Sequence, residues 1–262
     1  MYKLLVSDFD NTLINSDEAI PLSTMVEIDR IRKNGCLFSI ATGRNLSSVL
    51  DYNRDFPFID YIISCNGAYV YDVRKGKVIF KKNMLLSTIK SIVKKYRDVD
   101  ICFCTPEYWY LLTKNKNIKL YDREKIIYSL DDFYKENKTN IYKIELIFKN
   151  KKSRDNSFLE MEELNYKFNF NKNVFSNKKY GIEITMSGIT KMTGVEKICQ
   201  KEKISVSQVI AIGDDDSDIS MIKNVGCGVA VSNASKELKK VSKIKTSSND
   251  TKGVEKVIKK LL

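Results

Sequence analysis

The 262-residue chain has no histidine. That absence excludes a Ser-His-Asp triad, a Cys-His nucleophile pair, a histidine general base and histidine-ligated metal. Catalysis in such a chain must run on carboxylates, lysines, hydroxyls or thiols. The six cysteines (Cys36, Cys65, Cys102, Cys104, Cys199 and Cys227) form no C-x₂-C pair, so no zinc site is expected. Cys102 and Cys104, two apart in a strand-like run, read as small buried hydrophobes. No apolar run approaches the roughly 18 residues of a membrane span, and no basic segment followed by an apolar one opens the chain. The expectation is a soluble, cytoplasmic protein with no membrane partner. Internal repeats and low-complexity linkers are also missing.

Negative charge is in short supply. Against 45 lysines and arginines stand 33 acids, for a formal charge of +12. Lysine-rich stretches lie at 149–154, 172–179 and 236–245. Nucleic acid is the partner such a balance suggests first. The chain carries no RRM, KH or helix-turn-helix signature, however. Its lysines are dispersed among many Asn and Ile, as in a general compositional bias. No nucleic-acid partner is expected, although a positive surface favours anionic phosphoesters.

What the chain does have begins at its N-terminus. Leu4 to Val6 reads as a buried strand, and Asp8 and Asp10 follow it. If the strand persists, alternation aims both carboxylates at one spot. Two acids so placed repel by about 4 kcal/mol at 4 Å and an effective dielectric near 20. A hard cation such as Mg²⁺ relieves that repulsion.

Strand, helix, strand, helix, strand follows. Ser23 is a plausible N-cap for a helix that Gly35 ends. Leu37 to Ala41 is a strand running into Thr42-Gly43-Arg44. A helix spans Leu46 to Tyr52. Tyr61 to Ser64 is a strand running into Cys65-Asn66-Gly67-Ala68. This order implies a parallel sheet with right-handed crossovers.

The middle of the chain differs. A hairpin around Lys75-Gly76, a helix over 86–97 and strands at 101–104, 108–112 and 141–148 are expected. A helix over Phe158 to Phe168 and a short strand at 182–184 complete an α+β domain over 83–184. The parallel pattern then resumes with a helix at 195–200. A strand at 209–212 leads into Asp214-Asp215-Asp216-Ser217-Asp218. The expected division is an α/β core over 1–82 and 185–262 with an inserted domain between.

Four strand ends or loops thus carry polar groups: Asp8 and Asp10, Thr42, Lys191, and the acids after Ile212. Gly226-Cys227-Gly228 is no dinucleotide fingerprint, because the third glycine and the later acid are missing. Taken together, Asp8-Phe9-Asp10-Asn11-Thr12-Leu13, Ala41-Thr42-Gly43-Arg44, Asn66-Gly67-Ala68, Lys191 and the cluster at Asp214 resemble the haloacid dehalogenase-like (HAD) superfamily. Within it they resemble the Cof-like branch with a type IIB cap. The resemblance implies a Rossmann-like parallel-sheet core with an inserted α+β cap.

The resemblance further implies a Mg²⁺-dependent phosphatase of small phosphorylated metabolites, such as sugar phosphates. Asp8 is then the nucleophile, giving an aspartyl-phosphate, and Asp10 the general acid/base. Asp8, the Asp10 carbonyl and Asp214 are implied as Mg²⁺ ligands, with Asp218 behind them. Phe9, Thr42, Gly43, Lys191 and Ser217 are implied to hold the phosphate. Ser217 departs from the family pattern, where Asn is usual, and reaches less far. Arg44 is read as a surface charge. Asn66 either lines the cleft or turns the chain. Trp109, Tyr108, Tyr110 and Lys143 are cap candidates for substrate contact. A sugar phosphomutase or a non-catalytic binding protein of the same fold are the alternatives. A monomer or homodimer is expected.

Overall fold

The structure, a computed structural model, describes residues 1–54, 57–115, 120, 122–136, 140–163, 168–174 and 179–262. It divides into two compact units, Met1–Phe80 with Thr190–Leu262, and Lys81–Ile189. The first unit opens with strands β1 (Leu4–Ser7), β2 (Leu37–Ala41), β3 (Tyr61–Ser64), β4 (Tyr69–Asp72) and β5 (Lys77–Lys81). Helices α1 (Leu22–Lys33) and α2 (Leu46–Tyr52) lie between them. The second unit supplies β6 (Asp100–Cys104), β7 (Trp109–Leu112), β8 (Glu124–Ile127), β9 (Lys143–Phe148), β10 (Phe168–Val174) and β11 (Tyr180–Met186). Its helices are α3 (Leu86–Lys95), α4 (Leu130–Glu136) and α5 (Lys151–Glu163). The chain then returns to the first unit with α6 (Lys191–Glu202), β12 (Val209–Gly213), α7 (Ile219–Asn224) and β13 (Cys227–Ala230). It ends with α8 (Lys236–Val241), β14 (Ile244–Lys245) and α9 (Gly253–Leu261).

The first unit is an α/β sheet ordered β14-β13-β12-β1-β2-β3-β4-β5. From β14 to β3 every pairing is parallel, and β4 turns back antiparallel on β3. Leu4, Leu5 and Val6 are fully buried, as are Val209 to Ile212. A strand covered on both faces reads as a continuous apolar run rather than an alternating one. From β1 the sheet grows one way through β2 and β3, and the returning chain grows it the other way through β12 and β13. The order therefore reverses at β1. Such a switch point opens a crevice beyond the C-terminal strand ends, where ligands bind in open α/β sheets.

Pro21, not Ser23, sits at the N-cap of α1. The Ser23 hydroxyl instead donates to Glu255 Oε2 of α9 at 2.6 Å. Proline suits the entry of a helix because its missing N–H leaves no orphan donor there.

The second unit is α+β, with a sheet ordered β10-β11-β9-β6-β7-β8. One sheet face supplies Ile144, Leu146, Ile182, Ile184 and Phe103 to a core with Phe133 and Met161 of the helices. Alternation puts Lys143 and Glu145 of β9 on the other face. There the buried Lys143 Nζ donates to Glu145 Oε1 at 2.5 Å and Glu183 Oε1 at 2.6 Å. Tyr110 is packed edge-on to Phe133 at 4.9 Å within the core. The helix expected over Phe158 to Phe168 runs instead over Lys151–Glu163, and Phe168 opens a strand. Asn150 starts the helix early, its Oδ1 accepting from the Ser153 N–H at 2.9 Å. The lysines of that first turn carry no apolar periodicity, which hid the start. Among the described residues, no helix is long and apolar enough to cross a membrane.

Candidate active site

The switch point carries the acids. Asp8 follows β1 and Asp214 follows β12, its neighbouring parallel strand. Asp8, Asp214 and Asp218 each place a carboxylate oxygen within 4.8 Å of the others. Lys191 completes the cluster from the first turn of α6. Its Nζ donates to Asp8 Oδ1 at 2.6 Å and to Asp218 Oδ1 at 2.7 Å.

Each side chain is held by local structure. Asp8 is anchored through its backbone N–H, which donates to the Ile212 carbonyl at 2.8 Å. Asp218 is fully buried in a tight turn. Its Oδ2 accepts from the N–H groups of Asp214 and Asp215, both at 3.1 Å. A side chain at Gly213 would put a Cβ 2.6 Å from the Asp218 carboxylate, so only glycine permits that packing. Asp214 Oδ1 accepts from the Thr12 hydroxyl at 2.9 Å.

Lys191 breaks a local rule. A cation in the first turn of a helix opposes the helix dipole, and a fully buried lysine is rare. The carboxylates of Asp8 and Asp218 overcome both penalties. Burial alone would lower the Lys191 pKa, but Asp218 and Asp8 hold it above the ordinary lysine range. Burial pushes Asp8 well above the usual carboxylate range, with Asp218 and Asp214 adding to the rise and Lys191 opposing it. Asp214 is raised to about 6, first by burial and then by Asp218.

Asp10 is placed differently. β1 ends at Ser7, and the Phe9 carbonyl accepts from the N–H groups of Leu13 and Ile14, both at 3.0 Å. Asn11 has a left-handed φ of 56°. The strand does not persist to Asp10, so alternation does not aim it alongside Asp8. Its half-exposed carboxylate instead accepts two-pronged from Arg44, at 2.6 Å from Nη2 and 3.0–3.1 Å from Nε. The Arg44 guanidinium lies 5.1 Å from the Phe9 ring centroid and 5.8 Å from that of Tyr52. Arg44 is thus partly buried in the site rather than a surface charge. Its partner lies 34 positions earlier, and nothing in its local sequence signals that.

Thr42 directly follows β2 and is almost completely buried. Its Oγ1 accepts from the Arg44 N–H at 3.1 Å, which leaves the hydroxyl proton available. The N–H groups of Phe9 and Gly43 find no protein acceptor among the described residues. Ser217 is half-buried in the Asp216–Asp218 turn, and its hydroxyl has no partner among the described residues. Asp216 accepts from Ser235 at 2.7 Å, and Asp215 lies exposed at the head of the same turn. Cys65, Asn66 and Gly67 have φ of 50°, 54° and 97°, so Asn66 turns the chain. That turn lies against the entry of α6: a Cβ on Gly67 would lie 1.9 Å from the Thr190 carbonyl oxygen.

The donor set fits a hard divalent cation. Three carboxylates and one ammonium leave two negative charges uncompensated, and every available ligand is oxygen. Asp8 and Asp214 approach closely enough to share a proton, which is how such a pair relieves itself without a metal.

A switch point that gathers acids and a buried lysine, with the neighbouring Phe9 and Gly43 N–H groups unpartnered among the described residues, suits a small anionic substrate paired with a metal ion. The chain belongs to the haloacid dehalogenase-like hydrolase family, which it matches over residues 5–258. It is 24% identical over 270 residues to the 5-amino-6-(5-phospho-D-ribitylamino)uracil phosphatase YitU of Bacillus subtilis strain 168, covering 98% of this chain and 96% of that protein. Its fold is similar to a haloacid dehalogenase-like hydrolase of B. subtilis (TM-score 0.88, 19% identity, 99% of this chain and 100% of that one). It is also similar to the HAD subclass IIB sugar phosphatase BT4131 (TM-score 0.80, 22% identity, 98% of both chains).

Proposed function

We propose that this chain is a Mg²⁺-dependent phosphatase that hydrolyses small phosphorylated metabolites through an aspartyl-phosphate on Asp8. The observation that carries the reading is Asp8 itself. It is buried at the switch point and held at 2.6 Å by Lys191, beside Asp214 and Asp218. The phosphatase names of its relatives support the same class.

In this reading Asp8 attacks phosphorus, and the bond to the leaving oxygen breaks. A carboxylate nucleophile splits one hard displacement into two easier ones. Asp10 gives the leaving oxygen its proton and later takes one from the water that attacks phosphorus, as the phosphorus–Asp8 bond breaks and phosphate and the free Asp8 carboxylate are released. Arg44 fixes Asp10 in place. Lys191, the Thr42 hydroxyl and the Phe9 and Gly43 N–H groups hold the phosphoryl oxygens. Ser217 contributes to that hold through a water. Asp8, the Asp10 carbonyl and Asp214 would hold the cation, with Asp218 fixing Lys191 and the Asp214 backbone. When bound, Mg²⁺ neutralises charge on the transferring group.

The second unit is proposed as the cap that selects the substrate. Sugar phosphates and the phosphoribityl compound of the YitU relative head the list to test. All six cysteines are free thiols, which suits a reducing compartment such as the cytoplasm. The test is phosphate release from a panel of phosphorylated sugars and polyols, with Mg²⁺ and with chelator. Asp8→Asn is expected to lose at least about a thousandfold in kcat. An Asp8→Asn variant with wild-type turnover would overturn the mechanism.

A further inference from the structure

The first unit holds an open cleft of about 530 Å³ between the sheet edge at β14 and helix α9, apart from the carboxylate cluster. Small-molecule sites span roughly 300–1,000 Å³. Lys245 of β14 and Lys256 and Lys260 of α9 line it. The two helix lysines are four apart and so share one face. All three are exposed, and no carboxylate pairs with them among the described residues. On the same helix but outside the cleft, Lys259 is neutralised by Glu255 at 2.7 Å. The cleft is thus the face of α9 whose charge is left unbalanced.

Polar groups beside the lysines are arranged to serve an anion. Lys256 Nζ donates to Ser247 Oγ at 2.7 Å, which leaves the serine proton available to an acceptor. Ser232 and Thr251 add further hydroxyls. Val257 and Leu261 give the cleft an apolar floor.

We propose that this cleft binds an organic diphosphate, a nucleoside diphosphate in chemical class. Gathered positive charge without counter-charge raises the local concentration of anions. Three lysines match the charge of a diphosphate better than that of a monophosphate. The apolar floor gives a base or sugar ring a surface to cover, which inorganic pyrophosphate leaves bare.

The test is calorimetric titration of the full chain in low salt with EDTA, using ADP and inorganic pyrophosphate as probes. ADP is expected to bind at least ten times more tightly than pyrophosphate. The triple variant Lys245→Gln, Lys256→Gln, Lys260→Gln is expected to weaken ADP at least tenfold without lowering the Tm. A control triple, Lys149→Gln, Lys151→Gln, Lys152→Gln, removes exposed lysines of the second unit and is expected to keep wild-type affinity. Several results overturn the proposal: no heat at millimolar ADP, equal affinity for pyrophosphate, binding that survives the cleft variant, or an equal loss in the control.

Discussion

Replacing Lys191 by methionine isolates what one buried ammonium does in this site. At 2.6 and 2.7 Å, each of its two ion pairs is worth about 6 kcal/mol of attraction at an effective dielectric near 20. Much of that is offset by the cost of burying the three charges. What remains after losing one partner of a buried pair is typically about 3–5 kcal/mol, because the other charge stays behind unpaired. The loss should depend on pH with a definite sign. Asp8 is already raised in the folded state, so it costs stability once pH passes its unfolded value near 4. Without Lys191 its folded pKa rises further, and the cost of the substitution grows with pH. Lys191 itself stays charged across this range, so only the carboxylates titrate. Urea unfolding in EDTA should therefore show about 3–5 kcal/mol lost at pH 8 and about half or less of that at pH 5. The kcat at pH 8 with Mg²⁺ should fall about a hundred- to a thousandfold. A loss below about 1 kcal/mol at pH 8, or one equal at both pH values, refutes the claim that Lys191 offsets buried carboxylate charge.

Gly67→Ala puts a Cβ 1.9 Å from the Thr190 carbonyl at a positive φ, so it should cost about 1–3 kcal/mol in urea unfolding and lower kcat by shifting Lys191. Unchanged kcat would show that the Cys65–Gly67 turn does not position the lysine. Arg44→Gln should cost under about 1 kcal/mol of stability, since the pair is partly solvated, yet lower kcat about ten- to a hundredfold through misplacement of Asp10. Because Asp214 in the metal-free protein titrates at about 6, protons compete with the cation below that value. Asp8, the other carboxylate proposed to hold the cation, is also raised, so apparent Mg²⁺ binding should weaken progressively as pH falls from 8 to 5. A constant unchanged between pH 5 and 8 would contradict that assignment.

The core was legible because its strands are buried on both faces. Leu4 to Val6, Leu37 to Ala41 and Val209 to Ile212 are apolar runs that stop at polar residues, and runs of that kind are short-range signals. Lys191 was legible only through its place before the Asp214 cluster, since a single lysine in a chain with 45 cationic residues carries no signal of its own. Two features were beyond reach for one shared reason. The Arg44–Asp10 pair and the Lys143–Glu183 pair join positions 34 and 40 apart, and each is decided by where the fold brings two charges together. The start of helix α5 is hidden because its first turn is Lys151-Lys152-Ser153-Arg154, which reads as a solvated loop until the cap at Asn150 is seen.

The separation of Asp8 from Asp10 bears on their proposed roles. The same two-residue spacing that suggested convergence delivers the carboxylates into opposite environments, because the chain leaves the strand between them. The Asp8 side chain is 7% exposed, while that of Asp10 is 44% exposed. A nucleophile gains from a dry site, where fixed charges act at low dielectric and water cannot compete for phosphorus. A proton shuttle has the opposite need. It must collect a proton and give it up in each cycle, so it must reach solvent. A half-exposed carboxylate held in register by Arg44 meets that need, whereas a second buried acid beside Asp8 would add a third like charge to the pair it already faces in Asp214 and Asp218. In the proposed mechanism, the turn at Phe9 to Asn11 is therefore what would let one short motif serve both steps.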